Sequence, residues 1–356
     1  MSRFWSERTR ALNPYVPGEQ PKDAQYIKLN TNENPYPPSE RVQQAIIAAS
    51  DDDLRLYPDP DGSELKTAIA DFYSVEKANV FVGNSSDEVL AHTFVALLKH
   101  DAPLLFPDIS YSFYPVYCGL FGIDSKEIPL NDSFEINVDD YAISNVGKNG
   151  GIIFPNPNAP TGKALSLDVI EQFSQDHPES VIVIDEAYVD FGADTAIPLI
   201  KKYKNLLVVQ TFSKSRSLAG LRVGFAVGDA GLIEGLERVK NSFHPYCLAR
   251  NAIAGATASI KDNEGFENNR QKIIKTREHT TFELKKLGFD VIPSSANFVF
   301  AKPPINHTAE SLYLQLKQKN ILVRYFKMPR INEHLRITIG TDAEMNALIE
   351  TLTELM

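Results

Sequence analysis

The chain has 356 residues, of which 43% are hydrophobic and 23% charged, enough to bury a large core and more than one domain usually needs. Acidic residues (46) outnumber basic residues (36), so the formal net charge is −10, and no dense lysine or arginine cluster interrupts the mixed charges. We therefore expect neither nucleic acid nor a membrane as a partner.

Cysteine usage and the N-terminal sequence narrow the class of protein further. The two cysteines, Cys118 and Cys247, form no CxxC pair, and no cysteine or histidine spacing resembles a zinc site. The N-terminus lacks the apolar stretch of a secretion signal, and the longest apolar runs are too short to span a bilayer. These features predict a reduced, cytoplasmic enzyme with buried thiols and no bound metal.

Apolar strand-like runs alternate with helical patterns through the middle of the chain. The runs are NVFVG, APLLF, GGIIF, SVIVIDEA, NLLVVQTF and LRVGFAVG, with patterns such as SSDEVLAHTFVALLKH and SLDVIEQFSQDH between them. Continuous runs of β-branched residues indicate strands that are covered on both faces. We therefore predict an α/β fold with a mostly parallel sheet sandwiched by helices, which binds ligands at the carboxyl ends of its strands.

The pattern changes after about residue 245. A long charged helix is followed by the strand-like segment FDVIPSSANFVFAKP, a helix over 308–320, the strands ILVRYF and HLRITIG, and a terminal helix from Asp342. Shorter strands with helices on one side predict a second, smaller α+β domain, and the Pro-rich N-terminus indicates an extended arm. We divide the chain into an arm with part of the small domain (1–45), a large domain (46–245) and a C-terminal small domain (246–356).

Polar residues at the ends of the predicted strands are candidates for a ligand site. In FVGNSSDEVL, a strand ends and a helix opens through Ser85, Ser86 and Asp87, where free N–H groups and the helix dipole favour an anion. An ordinary helix cap explains the same residues. In FPNPNAPTGK, Asn156 and Asn158 follow another strand, in what is otherwise a plain turn.

Charged residues follow two further strands. Asp185 ends the run IVID, and a carboxylate there is costly to bury unless a cation meets it. Lys214 follows the next strand among small residues, which favours the neutral amine of a Schiff-base nucleophile. Arg222 and Ser213 suit a phosphate. Each residue alone is as well explained by a salt bridge or a solvated side chain, but together they predict a pyridoxal 5′-phosphate site.

The segments PNAPTG, DEAY and SKSRSLAGLRVG are similar to those of the fold type I aminotransferases. LNPYVPGEQP, IKLNTNENPYPPS, LRLYPDPDG, ILVRYF and LRITIGT extend the resemblance over nearly the whole chain, to the class II histidinol-phosphate aminotransferase family. The LNTNENP arm and YPDP are the most family-specific of these segments, whereas PTG and the lysine motif are shared by the whole superfamily.

The resemblance implies roles in cofactor binding. Lys214 would hold the cofactor covalently and then, once free, move the proton between the substrate Cα and the cofactor. Asp185 would keep the pyridine nitrogen protonated, Tyr188 would contact the ring hydroxyl, and Tyr111 would stack on the ring. The cofactor phosphate would be held by the following residues: Ser213, Arg222, Ser85, Ser86, Asp87 and, from the second subunit of a homodimer, Tyr57.

The resemblance also implies a second anion site, for the phosphate of the substrate. Arg324 and Arg336 match its arginines, and Tyr15 would reach it from the arm. Asn30, Asn32 and Glu33 lie in the part of the arm that covers the site. We place Asn32 among the substrate-binding residues, and which of the three contacts the imidazole of the substrate stays open.

One departure concerns the residue before PTG. Most family members carry asparagine there to bond the ring hydroxyl, whereas this chain has Ala159. We therefore assign that contact to Asn158, with Asn156 behind it. Arg216 has no role in the family pattern, and we expect its side chain to be solvated or ion-paired.

The reaction implied is the exchange of L-histidinol phosphate and 2-oxoglutarate for 3-(imidazol-4-yl)-2-oxopropyl phosphate and L-glutamate, by a ping-pong mechanism. Two alternatives within the superfamily stay open: aminotransfer from aromatic amino acids, and decarboxylation of a phosphoamino acid. A more remote one is a binding protein that retains the scaffold without activity; the intact Lys214, Asp185 and Arg222 weigh against it.

Overall fold

A computed structural model describes residues 2–15, 18–20 and 26–356. Its strands are β1 (Ile27–Leu29), β2 (Val80–Asn84), β3 (Leu104–Pro107), β4 (Ser125–Ile128), β5 (Ile152–Pro155), β6 (Ile182–Asp185), β7 (Leu206–Thr211), β8 (Val223–Gly228), β9 (Asp290–Ile292), β10 (Phe298–Lys302), β11 (Ile321–Tyr325) and β12 (Leu335–Thr338). Its α-helices are α1 (Glu7–Ala11), α2 (Glu40–Ala48), α3 (Ser63–Tyr73), α4 (Ser85–Leu97), α5 (Tyr114–Phe121), α6 (Ile143–Val146), α7 (Leu167–Asp176), α8 (Ala230–Phe243), α9 (Arg250–Lys261), α10 (Asn263–Lys286), α11 (Ala309–Gln318) and α12 (Asp342–Leu355).

The larger sheet has the strand order β2-β8-β7-β6-β5-β3-β4. Of these strands only β8 runs antiparallel to its neighbours, which confirms the predicted mostly parallel α/β sheet. Strand β4 was not predicted. Its first three residues are exposed at the sheet edge, so it lacks the apolar run that marks the buried strands.

Helices cover both faces of the larger sheet. Alternate residues of β6 lie in two separate cores, since Ile182 and Ile184 pack with α3, α7 and α9, whereas Val183 packs with α4, α5 and α8. Apolar side chains on both faces of a strand require this double cover. The layers leave the carboxyl ends of the strands open to a ligand.

The smaller sheet has the order β1-β11-β12-β10-β9, and its core is formed with α10, α11 and α12. Strand β1, from the N-terminal arm, pairs parallel with β11. The arm is therefore built into the smaller sheet. The predicted division at 245/246 stays a prediction, although the packing groups α9 with the larger sheet, because Ile253 and Ile260 belong to that core.

Among residues 2–15, 18–20 and 26–356, no helix is both long and apolar enough to span a membrane.

Candidate active site

A cavity of about 640 Å³ lies where the larger sheet meets the arm and the smaller sheet. Strands β3, β5, β6 and β7 contribute residues at or just beyond their carboxyl ends, as expected for a parallel sheet. It is lined by most of the residues predicted from sequence: Tyr15, Asn32, Ser85, Ser86, Asp87, Tyr111, Asp185, Tyr188, Ser213, Lys214, Arg222, Arg324 and Arg336.

Lys214 lies in the loop that leaves β7 and is half-buried. Its Nζ donates to the main-chain oxygen of Thr31 at 3.1 Å and lies 5.7 Å from the centre of the Tyr188 ring. The Tyr188 hydroxyl in turn accepts a hydrogen bond from Asn32 Nδ2 at 3.0 Å. The amine is thus held inside the cavity by the arm, next to an aromatic ring that has its own anchor.

Asp185 is the last residue of β6 and is 4% exposed. Its Oδ2 accepts a hydrogen bond from the Tyr114 hydroxyl at 3.1 Å, while its Oδ1 has no hydrogen-bond partner among the described residues. Burial raises the pKa of this carboxyl to about 6. A buried carboxylate oxygen without a donor is suited to a protonated ring nitrogen, so Asp185 fits a pyridine cofactor.

The raised pKa of Asp185 makes the stability of the cofactor-free protein depend on pH. Because burial disfavours the charged form, this carboxyl favours the folded state most when it is protonated. The stability that it contributes is fully present below its ordinary pKa of 3.8 and is lost as the pH rises through about 6. Relative to wild type, Asp185→Asn should therefore raise the melting temperature more at about pH 7.5 than at about pH 5. Thermal melts of both proteins at the two pH values measure this, with the exposed Asp124→Asn as control. A difference that does not vary with pH would contradict it.

An anion cradle forms where α4 begins beside β8. Arg222 Nη2 lies 2.8 Å from Asp87 Oδ2, and Asp87 Oδ1 accepts from the Tyr111 hydroxyl at 2.9 Å. The main chains of α4 and β8 are in contact here, because a Cβ at Gly224 would overlap the Ser86 main chain. The carboxylate of Asp87 thus orients Arg222 and Tyr111, while the helix N-terminus and the guanidinium face the same space.

A second cationic region lies across the cavity, on neighbouring strands of the smaller sheet. Arg324 of β11 pairs with Arg336 of β12 in the antiparallel register, so the two arginines are side by side. Arg336 Nη2 donates to the Asn30 main-chain oxygen at 2.8 Å, and burial, with the nearby Arg324 charge, lowers the pKa of Arg336. In the described parts of the chain neither guanidinium forms a salt bridge with a carboxylate. Two adjacent arginines without a carboxylate partner favour an anionic ligand.

Three of the residues named from the sequence, Tyr57, Asn156 and Asn158, do not line this cavity. Asn156 is buried, and its Oδ1 accepts from the Leu165 N–H at 2.8 Å. Tyr57 is 78% exposed and stacks on Tyr246, with ring centres 4.6 Å apart. Asn158 is buried, and its Nδ2 donates to the Ile109 main-chain oxygen and to Thr161. Ala159 lines the cavity instead. The ring contact from Asn158 and the reach of Tyr57 into a second subunit stay predictions.

The comparisons with known proteins agree with this geometry. The model of the family "Aminotransferase class I and II" matches residues 24–352. The chain belongs to the class I and II aminotransferase family. It is similar to histidinol-phosphate aminotransferase 2 of Dechloromonas aromatica, at 59% identity over 100% of this chain and 99% of that protein. It is also similar to the histidinol-phosphate aminotransferase of Aromatoleum aromaticum, at 58% identity over the full length of both.

The same fold occurs in a solved aminotransferase structure. Histidinol-phosphate aminotransferase from Sinorhizobium meliloti, in complex with pyridoxal-5′-phosphate, superimposes with a TM-score of 0.88 at 23% identity. The match covers 100% of this chain and 99% of that one. This agreement confirms the predicted α/β aminotransferase fold, with a mostly parallel sheet and a second, smaller unit.

Several residues of this aminotransferase site were not found from the sequence. Tyr114 holds Asp185, Thr31 holds the Lys214 amine through its main chain, and Asn34 donates to the main-chain oxygens of Lys214 and Ser215. A tyrosine inside an apolar helix gives no polar signal, and a main-chain contact leaves none in the side chains. Asn34 lies in the NENP segment, which belongs to the family resemblance, and that segment could have identified Asn34 as a candidate site residue.

The expectation for Arg216 was wrong. The side chain is 8% exposed, donates to the Ser259 main-chain oxygen, and packs its guanidinium over the rings of Phe266 at 4.0 Å and Phe72 at 5.1 Å. Cation–π contacts and a carbonyl acceptor replace the expected solvent. Arg216 belongs to the loop that carries Lys214, so these contacts attach that loop to α3, α9 and α10.

Proposed function

We propose that the chain is a histidinol-phosphate aminotransferase of histidine biosynthesis. It exchanges L-histidinol phosphate and 2-oxoglutarate for 3-(imidazol-4-yl)-2-oxopropyl phosphate and L-glutamate. The observation that carries the proposal is one cavity with two cationic regions, Arg222 at one side and the pair Arg324 and Arg336 at the other, and Lys214 within it. A cofactor phosphate and a substrate phosphate need two such regions. The high identity to curated relatives supports the same substrate.

The residues present fit pyridoxal 5′-phosphate as the cofactor. When bound, this group supplies an electron sink for the pair released at the substrate Cα. Arg222, Ser213 and the start of α4 would hold its phosphate, and the free Oδ1 of Asp185 would meet its ring nitrogen. Tyr188 and Tyr111 would contact the ring hydroxyl and the ring face.

Lys214 is the proton-moving group at the substrate Cα. In its free state the amine has the Thr31 carbonyl as hydrogen-bond acceptor, which keeps it within the cavity. Asp185 stabilises positive charge at the inner end of the site, where burial excludes water. Asn32 holds the Tyr188 hydroxyl, so its amide group acts on the ring contact rather than on the imidazole of the substrate.

The paired arginines should determine preference for a phosphorylated substrate. Arg324→Ala removes a charge-assisted contact and should raise KM for histidinol phosphate by about 10- to 100-fold. It should change KM for unphosphorylated histidinol much less. Steady-state kinetics with both amino donors measure the difference, and Arg238→Ala, an exposed arginine paired with Glu234, is the control. Equal loss with both donors would argue against a phosphate contact.

The substrate proposal is tested by comparing kcat/KM for histidinol phosphate with that for phenylalanine and tyrosine. A preference for histidinol phosphate is expected because the second cationic region suits a phosphate dianion better than an aromatic ring. A strong preference for the aromatic amino acids would replace the proposal with an aromatic aminotransferase. Release of carbon dioxide from a phosphoamino acid would replace it with a decarboxylase.

The assembly belongs to the same proposal. Tyr57 is exposed on the YPDP loop and stacked on Tyr246, which leaves it available to a second copy of the chain. We therefore assign a cytoplasmic homodimer in which Tyr57 reaches the cofactor phosphate of the other subunit. Sedimentation of the wild-type protein tests the dimer, and weaker cofactor retention by Tyr57→Phe tests the contact.

A further inference from the structure

The arm contacts the lysine loop through a side chain that does not line the cavity. Asn34 Nδ2 donates to the main-chain oxygens of Lys214 and Ser215, both at 3.1 Å. Its Oδ1 accepts from the main-chain N–H of Tyr36 at 3.0 Å. Both ends of this amide are thus engaged, and Asn34 is not in contact with the space in which substrate and cofactor would lie.

The loop that carries Lys214 is closed at its base by a main-chain bond from the Leu218 N–H to the Phe212 carbonyl at 3.0 Å, but the carbonyls of Lys214 and Ser215 have less main-chain support. It joins β7, which ends at Thr211, to β8, which begins at Val223. Within the loop the Lys214 carbonyl accepts from the Ser217 N–H at a long 3.3 Å. The Ser215 carbonyl has Asn34 as its hydrogen-bond partner among the described residues, since no other donor reaches it there.

The Ser215 side chain ties the same dipeptide to a second element. Its hydroxyl donates to Asp190 Oδ2, and Asp190 lies in the short turn that follows Tyr188. Asn34 from the arm therefore holds the main chain of Lys214 and Ser215, and Asp190 from the tyrosine turn holds the Ser215 side chain. Arg216 is buried directly after it.

The arm also connects the contacts of Asn34 to the end of the cavity that carries the two arginines. Asn30 accepts a hydrogen bond from Arg336 through its main-chain oxygen, and β1 pairs with β11, which carries Arg324. Asn30 and Asn34 lie at the two ends of the short segment 30–34 of the arm. The main chain of the lysine is thus fixed to the segment that also supports the two arginines.

We propose that Asn34 is a positioning residue for aminotransfer, which holds the Lys214 main chain so that the amine meets the substrate Cα–H at a fixed distance. This inference rests on the role of Lys214 given under Proposed function, but not on histidinol phosphate as substrate. Proton transfer is sensitive to the separation of donor and acceptor, and a misplacement of about 1 Å can cost roughly 100-fold in rate. Asn34 contacts no substrate, so its loss should act on rate rather than on affinity.

The test is the half-reaction with L-glutamate in a single turnover. Its rate is monitored as the loss of the visible absorption band of the lysine-bound cofactor. Asn34→Ala should slow it by about 10- to 100-fold. The half-saturating glutamate concentration should change by less than about twofold, as expected when only a transition-state interaction is removed. The isotope effect with glutamate deuterated at Cα should increase, because proton transfer becomes more fully rate-limiting. Asn34→Asp keeps the size but lacks both donors, and should be at least as slow.

Asn79→Ala is the matched control. Asn79 also donates to a main-chain oxygen, that of Gly228 at 2.9 Å, and accepts a main-chain N–H, that of Glu76 at 3.1 Å. It should lose thermal stability as Asn34→Ala does, but keep the glutamate rate and isotope effect of wild type. Equal rates and isotope effects in wild type, both Asn34 variants and Asn79→Ala would overturn the proposal and leave Asn34 a structural residue.

The visible band provides a readout that needs no substrate. A displaced lysine main chain should shift the pH at which this band titrates in Asn34→Ala and Asn34→Asp, but not in Asn79→Ala. An unshifted titration in both Asn34 variants would contradict the proposal. If wild type fails with histidinol phosphate while the Asn34 variants still slow the glutamate half-reaction, the substrate proposal falls and the positioning role stands.

Discussion

Lys214→Ala should abolish aminotransfer and leave the fold intact. The variant removes the amine that would hold the cofactor and move the proton at the substrate Cα, so kcat should fall by at least about 10⁴-fold, the upper end of general acid–base contributions. Alanine lacks only a half-buried side chain whose Nζ makes one hydrogen bond, to Thr31. The melting temperature of the cofactor-free protein should therefore stay close to that of wild type.

Steady-state rates, the visible absorption spectrum and thermal melts together measure this prediction. The variant should bind the cofactor without the absorption band of the lysine-bound form. Lys163→Ala is a suitable control, since that lysine lies in the PTGK turn and pairs with Glu135 outside the cavity. A Lys214→Ala protein that kept both its rate and its band would refute the assignment of the nucleophile.

Asp185→Asn has the second-largest expected effect. The carboxylate is buried with one oxygen held by Tyr114 and the other without a partner in the described structure. Asparagine fills the same volume but carries no charge to stabilise a protonated ring nitrogen. Loss of one preorganised electrostatic contact typically costs about 10²- to 10³-fold in kcat, and a loss of that size is expected here.

The kinetic loss in Asp185→Asn should be accompanied by a gain in stability of the cofactor-free protein near neutral pH, because the costly buried carboxylate is gone. The two measurements therefore move in opposite directions, as expected where a site is strained for its function. If kcat were unchanged while stability rose, Asp185 would be a structural carboxylate and the cofactor contact would belong elsewhere.

The larger sheet was predictable because most of its strands are continuous apolar runs in the sequence. Runs such as SVIVIDEA and NLLVVQTF are apolar on both faces, and that pattern requires helices above and below. The edge strand β4 was missed because exposure removes the pattern. The predicted boundary after residue 245 rested on a change of sequence character, whereas the packing of α9 depends on contacts with α2 and α3 that no local pattern reports.

The residues of the site divide in the same way. Asp185 and Lys214 were predictable because they stand at or just after the carboxyl ends of parallel strands, which meet at one edge of the sheet. Arg222 lies at the same edge because the antiparallel strand β8 begins there. The residues that hold these side chains and their loop in place could not be predicted, because they come from other elements. Tyr114 reaches Asp185 from α5, and Asn34 reaches the lysine loop from the arm. Arg216 was assigned wrongly because its partners, Phe72 and Phe266, are distant in sequence.

The central claim is that Lys214 transfers an amino group from histidinol phosphate, and an absorbance titration tests it most directly. Addition of histidinol phosphate to the cofactor-loaded enzyme, without 2-oxoglutarate, should abolish the visible band of the lysine-bound cofactor, and later addition of 2-oxoglutarate should restore it. A band that is unchanged by histidinol phosphate but lost on addition of glutamate would contradict the substrate. A band unchanged by either amino donor would contradict the aminotransferase mechanism in this cavity.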